Sequence, residues 1–478
     1  MNYKMIKYVI GWILLFEAIF LMLPAVTALI YKESVIFDIL ISALICAVLG
    51  GILVLFKPKN TLLFSREGFV IVSLSWIVMS IFGALPLYIS GYASSYIDAL
   101  FETVSGLTTT GATILTDVES LPKALLIWRS FTNWIGGMGV LVFIMAFLPL
   151  SGGYNMHIMK AESPGPSVSK LVPRVRTTAL ILYTLYFAFT FVQFILLLLG
   201  KLPVFDALNA AFSTAGTGGF GIKNNSMGGY SPYVQVVITV FMLIFSVNFN
   251  SYYLIANKNF KDALNTEVRW FFYLVTGAIF VITLNIMDMF SSVGEAVRHA
   301  AFTVASIIST SGFMTVDFDL WPQLSRAIIV LLMFIGACAG STGGGMKISR
   351  YMILIKDLGK ELRIMLHPKQ VKKTIVDNRP VQNDVIRSVY VYFGCYIIVF
   401  AISVLLISLE NLDLTSTFTS VATTMNNIGP GLNLVGPTQN FSFFSDFSKL
   451  VLIFDMLAGR LELFPMLMLF NPSTWKKK

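Results

Sequence analysis

The 478-residue sequence predicts an all-α membrane protein: two N-terminal transmembrane helices, then four repeats of a spanning helix, a shorter re-entrant helix, a glycine loop and a second spanning helix. Three observations predict it. The chain is 56% hydrophobic and 12% charged, about half the charged fraction of a soluble domain, and its mean hydropathy is +0.78. Its apolar runs exceed the ~18–20 residues needed to cross a bilayer and do not resemble the ~10-residue alternating strands of a membrane β-barrel. Four glycine-centred turns recur at matching positions, each between a short amphiphilic segment and a long apolar run.

Taken in order, residues 1–66 carry two apolar runs, about 8–31 and 35–56, behind Lys4 and Lys7. The first passes through Ala25-Val26-Thr27-Ala28, which looks like a cleavage site, but the run is too long for a signal core and a retained helix is expected. Lys57, Lys59 and Arg66 mark the loop that follows. The repeats are expected at 67–160, 161–262, 263–375 and 376–478. Their first spanning helices (M1) fall near 68–92, 177–200, 268–290 and 385–409, and their second (M2) near 124–149, 232–256, 325–355 and 447–470, which with the two leading runs makes ten spans. The loop glycines are Gly111, Gly219, Gly312 and Gly429, and six residues before them stand Ser105, Ser213, Ser306 and Thr423. Repeats one and two also share Asp-Ala-Leu at 98–100 and 206–208, which the other two lack, so the copies have diverged. A repeat of this size points to one ancestral unit arranged about an axis.

Charge supplies an orientation. The net charge is +9, but its distribution fits topology better than nucleic-acid binding. Lys32, Lys123, Arg129, Lys201, Lys223, Arg298, Arg326 and Lys449 fall on one side, Arg460 inside an apolar run, and the other basic residues on the opposite side. The positive-inside rule then puts both termini in the cytoplasm and the glycine loops near the outer face. Cys46, Cys338 and Cys395 lie within apolar runs and read as small core residues. His157, His299 and His367 form no ligand spacing and read as surface or interfacial residues. No nucleophiles, acids or metal ligands cluster at membrane depth, so no enzyme is expected.

The four loops align as T-T-G-A-T (109–113), T-G-G-F-G (217–221), T-S-G-F-M (310–314) and N-I-G-P-G (427–431). Each looks like a degenerate copy of the T-V-G-Y-G loop of potassium-channel filters. A cation leaving water needs replacement oxygens, and backbone carbonyls supply them without a fixed charge that would trap it. Aiming them inward takes unusual backbone angles, which glycine tolerates. A re-entrant helix adds the negative end of its dipole. Thr109, Thr217, Thr310 and Asn427, two before each glycine, and Thr110, Gly218, Ser311 and Ile428, one before, are therefore candidate ion-coordinating positions, together with the glycines themselves. Glycines serving close helix packing are the alternative for any single loop. Four in register favour one pore from one polypeptide.

Two further oddities lie in M2 segments. Gly336, Gly340, Gly343, Gly344 and Gly345 cluster within residues 336–347, where each would cost a straight helix roughly 1 kcal/mol relative to alanine. A broken helix with a polar loop in mid-membrane is expected. Arg460 stands in Leu457-Ala458-Gly459-Arg460-Leu461-Glu462, at a depth where a charge costs about 2.5–3.5 kcal/mol or more. Glu462 does not share its helix face, so Arg460 is expected to look into the pore as a barrier to cations or an anchor for the glycine-rich loop. An ion pair with another acid is the alternative.

The four loops, together with Asn133-Trp134-Ile135-Gly136-Gly137-Met138-Gly139, Ala161-Glu162-Ser163-Pro164-Gly165-Pro166, Gly340–Lys347 and Gly459–Phe464, resemble the TrkH/KtrB potassium-transporter family over essentially the whole chain. The two extra N-terminal helices and Arg66-Glu67-Gly68-Phe69 resemble its TrkH branch. The resemblance implies potassium uptake across the bacterial inner membrane by a homodimer with one pore per subunit. It implies gating by a cytoplasmic ring of TrkA-type subunits that bind NAD, ATP or ADP, and a gate at Gly340, Ser341, Thr342, Gly343, Gly344, Gly345, Lys347 and Arg460. Gly111 in the first loop is the potassium-selective choice of that family, while the glycine-rich second loop leaves a less selective K⁺/Na⁺ pore as an alternative. A proton-coupled symporter is the other, with Asp98, Glu102 and Asp206 the nearest acids, though these are equally expected to cap the re-entrant helices. The chain has no dinucleotide fingerprint of its own, so a nucleotide would bind the partner. The basic segment 356–383, with Lys356, Lys360, Arg363, Lys369, Lys372, Lys373 and Arg379, is the expected docking site for that ring and for anionic lipid.

Overall fold

In the computed structural model, residues 1–58, 63–139, 175–370 and 372–476 are described. Lys59, His157, the end of the first M2 and the Ala161–Pro166 motif lie outside them. Six helices are long and apolar enough to cross a membrane: Tyr3–Tyr31, Ile36–Leu55, Ser65–Ile89, Thr177–Leu199, Thr266–Met289 and Asn383–Glu410. These are the two leading runs and the four M1 helices. Their outer faces carry exposed Leu, Ile and Phe, such as Leu44, Phe187, Phe280 and Ile397, as lipid contact requires.

The second and fourth M2 segments differ from the expected continuous spans, while the third is broken where its glycines cluster, as expected. The second bends by 91° between Pro232–Ser246 and Phe249–Ala256. The third stops at Ile335 and resumes as Ile348–Leu366, with a non-helical loop between. The fourth is Asp446–Arg460 followed by Phe464–Phe470. Of the first, Lys123–Gly137 is described. The physical reason is that the backbone groups freed at one break are satisfied by another. Ser246 O accepts from Cys338 N at 3.1 Å, and Phe249 N donates to Gly340 O at 3.1 Å. Such exchange is what permits irregular backbone at membrane depth.

Four short helices, Tyr96–Leu107, Val204–Gly216, Val293–Ile308 and Leu414–Met425, fill the centre. Each packs against its own M2 and against the M2 of the preceding repeat, the fourth M2 closing on the first short helix. The closure carries a buried ion pair, Lys449 Nζ to Asp98 Oδ1 at 2.6 Å. Asp98 thus pairs across the repeat boundary, while Ser95 caps that helix by accepting from Asp98 N. Glu102, also expected as a cap, is 1% exposed and pairs with Arg129 at 2.8 Å. Asp206 accepts from the Tyr230 hydroxyl at 3.1 Å. His299 is buried rather than interfacial, bonded to Thr315 Oγ1 at 2.9 Å and stacked on Phe290.

The N-terminal helices pack outside repeat one. Gly11 and Gly50 let two of them touch closely, since a Cβ on Gly50 would meet Gly11 O at 2.8 Å. The chain ends meet on one face, where Tyr3 Oη donates to Trp475 O and Arg66 Nη1 to Lys476 O. A β-hairpin, β1 (Ile375–Val376) and β2 (Arg379–Pro380), joins repeats three and four.

Candidate functional site

The four short helices end in one motif. The residue two before each loop glycine is left-handed: Thr109, Thr217, Thr310 and Asn427 have φ of +57°, +54°, +61° and +55°. Its N–H returns to the carbonyl three residues back, at 3.0–3.2 Å, as in Thr109 N to Gly106 O at 3.1 Å and Asn427 N to Thr424 O at 3.2 Å. The next N–H reaches five residues back: Thr110 to Ser105 O at 2.8 Å, Gly218 to Ser213 O at 2.9 Å, Ser311 to Ser306 O at 2.8 Å and Ile428 to Thr423 O at 2.9 Å. This is the Schellman cap, made with a β-branched residue or asparagine where glycine is usual. The hydroxyl residues six before each glycine are therefore repeated for their carbonyls. Their side chains diverge: Ser306 donates to Phe313 O, Thr423 to Ser420 O, and Ser105 Oγ has no partner among the described residues.

The glycines follow at φ of +80°, +70°, +75° and +98° for Gly111, Gly219, Gly312 and Gly429. A Cβ on each would collide with a carbonyl of the next loop: Gly111 with Gly218 O, Gly219 with Ser311 O, Gly312 with Ile428 O, and Gly429 with Thr110 O. The contacts run from repeat one to two, three, four and back to one. The twelve loop positions singled out in the sequence are thus brought into one closed ring, with the carbonyl before each glycine seated against its neighbour. Only glycine meets both demands, positive φ and absence of Cβ.

Buried side chains hold the ring from behind. Glu102 accepts from Arg129 Nε at 2.8 Å, Thr113 Oγ1 and Ile114 N at 3.0 Å, while Arg129 Nη1 donates to Gly221 O at 3.2 Å. Asn133 lies between Gly106 O, Phe220 N and Ser213 Oγ, with its amide nitrogen toward Gly106 O at 2.7 Å. Asn427 Nδ2 reaches Thr110 Oγ1 at 2.9 Å and Met456 O at 2.8 Å.

Below the ring, the non-helical third-repeat segment and Arg460 meet. Arg460 Nη1 donates to Thr109 Oγ1 at 3.1 Å and Thr342 O at 2.8 Å, and Nη2 to Gly136 O at 2.5 Å and Gly137 O at 2.7 Å. The last two carbonyls end the Lys123–Gly137 helix, the negative pole that favours a cation. Gly344 N donates to Thr310 Oγ1 at 2.6 Å, and Thr342 Oγ1 to Phe245 O at 3.1 Å. Lys347 Nζ turns back to Gly343 O. Gly336, Gly340 and Gly345 have φ of +71° to +72°. Gly340, Ser341, Gly343, Gly344, Gly345, Lys347 and Arg460 line one cavity of about 90 Å³, alongside Gly137, Gly459 and Glu462. Glu462 pairs instead with Arg350, whose guanidinium lies 4.0 Å from the Tyr392 ring centroid. Thr342 touches this group through its carbonyl. All eight residues expected at a gate are thus adjacent to one another.

A family profile described as a cation transport protein, TrkH, matches residues 35–477. The chain belongs to the TrkH family. Full-length TrkH-family relatives include the Trk system potassium uptake proteins TrkH of Salmonella typhimurium and of Escherichia coli, each 35% identical with 100% of both chains covered. TrkG of Escherichia coli is 33% identical over 99% of each chain. The crystal structure of the potassium transporter TrkH from Vibrio parahaemolyticus superposes with a TM-score of 0.90 at 32% identity, covering 100% of both chains. The TrkH fold is thus that of a multi-pass, helical membrane transporter, and this chain shares it.

The sequence reading named Asn133 within a motif, Glu102 as a cap or proton-carrying acid and Arg129 by its side of the membrane, but gave none of them this buttressing role; Glu267, described below, it did not name. It also considered the residues two before each glycine chiefly for their backbone carbonyls. Three of the four reach other elements through their side chains, Thr109 toward Arg460, Thr310 toward Gly344 and Asn427 toward Met456, while the Thr217 hydroxyl turns to the preceding carbonyl.

Proposed function

We propose that this chain takes up potassium across the bacterial inner membrane, with both termini cytoplasmic. The single observation that carries the reading is the closed ring of carbonyls from Thr110, Gly218, Ser311 and Ile428 at the ends of four converging helices. A dehydrated cation on the ring axis would exchange water for these oxygens and feel four helix C-terminal dipoles. Potassium uptake is the named role of the full-length relatives. The meeting of both chain ends on one face fits a common side for the termini.

Passage below the ring is set by the 340–345 loop, Lys347 and Arg460. In the arrangement described, Arg460 holds the loop through Thr342 O and the ring through Thr109, and two positive groups face an ion's exit. A homodimer with one pore per subunit, gated by a TrkA-type ring that binds NAD, ATP or ADP and docks on segment 356–383, is the assembly we propose. The proton-coupled reading is less well supported, because Asp98 and Glu102 are committed to Lys449 and Arg129.

The test is ⁴²K⁺ and ²²Na⁺ uptake into proteoliposomes of the purified chain, with and without an imposed proton gradient. Potassium flux down its own gradient, indifferent to the proton gradient, is expected. Accumulation that requires the proton gradient would replace this reading by symport.

A further inference from the structure

Glu267 belongs to none of the motifs that the sequence analysis singled out. It stands in the first turn of the third M1, Thr266–Ile286, and is 7% exposed. Its Oε1 accepts from Ala339 N at 2.7 Å and from Ser349 N at 3.2 Å. Ala339 lies in the non-helical segment 336–347, just before Gly340, and Ser349 lies just after that segment, at the start of the Ile348–Leu366 helix. One carboxylate oxygen therefore holds both flanks of the 340–345 loop, and the same negative charge sits at that helix's N-terminus, where it is favoured.

The adjacent residue connects this point to the cytoplasmic hairpin. Asp377, in the Asp377-Asn378 turn between β1 and β2, accepts from Thr266 N at 2.8 Å and from Thr266 Oγ1 at 2.5 Å. The hairpin is in turn fastened to the helix below the loop. Asp357 of that helix accepts from Thr374 Oγ1 at 2.7 Å, from Lys360 Nζ at 2.7 Å and from Tyr390 Oη at 2.9 Å. Lys356 Nζ donates to Ile375 O at 3.1 Å. The contacts form a closed circuit: loop, Glu267, Thr266, Asp377, hairpin, Asp357, helix, loop.

We propose that Glu267 is the latch that holds the intramembrane loop in its obstructing position, and that Asp377 ties this latch to the cytoplasmic hairpin. A load on the hairpin, which lies within the basic segment proposed for docking, would then reach the loop through two carboxylates rather than only along the Ile348–Leu366 helix. Glu267 is a positioning residue; it does not line the cavity beneath the ring. The inference rests on the reading of that loop as the gate, and the experiment separates the two.

Cys338 reports on the latch. It is 0% exposed, between Ala337 and Ala339, with its N–H bonded to Ser246 O at 3.1 Å. In a Cys46→Ala, Cys395→Ala chain, reaction of Cys338 with a membrane-impermeant maleimide is measured in proteoliposomes alongside ⁴²K⁺ flux. Glu267→Ala is expected to speed the reaction about tenfold, the scale of losing hydrogen bonds to a charged group, and to raise basal flux. Glu267→Gln, which keeps the acceptor oxygen and removes the charge, is expected to restore slow reaction. Asp377→Ala, at the exposed hairpin tip, is expected to speed it by a smaller factor and serves if Glu267→Ala does not fold. Slow labelling of Cys338 in both alanine variants overturns the latch. Fast labelling with unchanged flux upholds the latch and removes the loop from the gate.

Discussion

Thr217 sits at φ +54° with its hydroxyl bonded to the preceding carbonyl, Gly216 O, at 2.6 Å. A left-handed β-branched residue costs roughly 1–2 kcal/mol, and three such threonines, with Asn427 at the fourth equivalent place, identify the ring as a place where strain is retained for use. Thr217→Gly is expected to raise the midpoint of thermal unfolding while reducing K⁺ over Na⁺ selectivity in the uptake assay; a less stable variant would refute strain at that site. Arg460→Ala is expected to raise basal K⁺ flux severalfold, since it frees Thr342 O and the Gly136 and Gly137 carbonyls together. Glu17 makes a different case. It is 1% exposed in the first helix and neither carboxylate oxygen has a hydrogen-bond partner among the described residues. Its replacement by methionine is expected to stabilise the protein by about 1–3 kcal/mol, read as a higher unfolding midpoint in detergent. At this scale the sequence displayed the glycines and Arg460 because they violate the apolar pattern around them. The role of Asn133, named only as part of a motif, and the residue Glu267 altogether were not legible, because an Asn before Trp-Ile-Gly-Gly or a Glu at a helix start has an ordinary local explanation.

Among the elements, the M2 segments show where a reading by composition stops. Hydropathy measures how much apolar chain is available, and it is silent on where the backbone turns. The Ser246-Val247-Asn248 break contains neither glycine nor proline and exists because the loop 90 residues on supplies its hydrogen bonds. The fourth M2 ends as the short helices do, with Glu462 and Leu463 at φ +56° and +63° and Leu463 N returning to Ala458 O at 2.7 Å. The loop of 336–347 was legible, since its glycines could serve no helix. Gly344→Val is expected to displace it, because a Cβ there already meets Asn426 O at 2.7 Å, and the change is read as altered basal flux. The fourth short helix also carries a pH dependence. Its cap, Asp413, is held below the usual carboxylate range by the Ser416 hydroxyl, with further bonds from Ser416 N and Asn433. A lowered folded value means the stabilisation is complete above the ordinary carboxylate range and is lost as pH falls through the lowered value. Asp413→Asn is therefore expected to flatten the acid side of the stability profile, measured by unfolding midpoint between pH 3 and 6 (an interval spanning about the ordinary carboxylate values).

For the whole molecule, the fourfold plan was legible because repetition in sequence became rotation in space, and each M2 packs on the next repeat's short helix. What holds the last repeat to the first was not, since residues 98 and 449 are separated by 351 positions. Lys449→Met is expected to cost roughly 3–5 kcal/mol by stranding a buried carboxylate, and Lys449→Met with Asp98→Leu to recover much of it. Equal loss in the single and double variants would show that packing, rather than the pair, closes the ring.

That ring is written by one gene in four unlike spellings: Thr-Thr-Gly, Thr-Gly-Gly, Thr-Ser-Gly and Asn-Ile-Gly. A pore assembled from identical subunits receives every mutation four times over, so small changes arrive as large ones. Here a single codon alters one quadrant and leaves three as they were. Inheritance can therefore adjust ion preference in quarter steps, and each quadrant can drift toward its own second task, as Thr109 has toward Arg460 and Thr310 toward the loop beneath it.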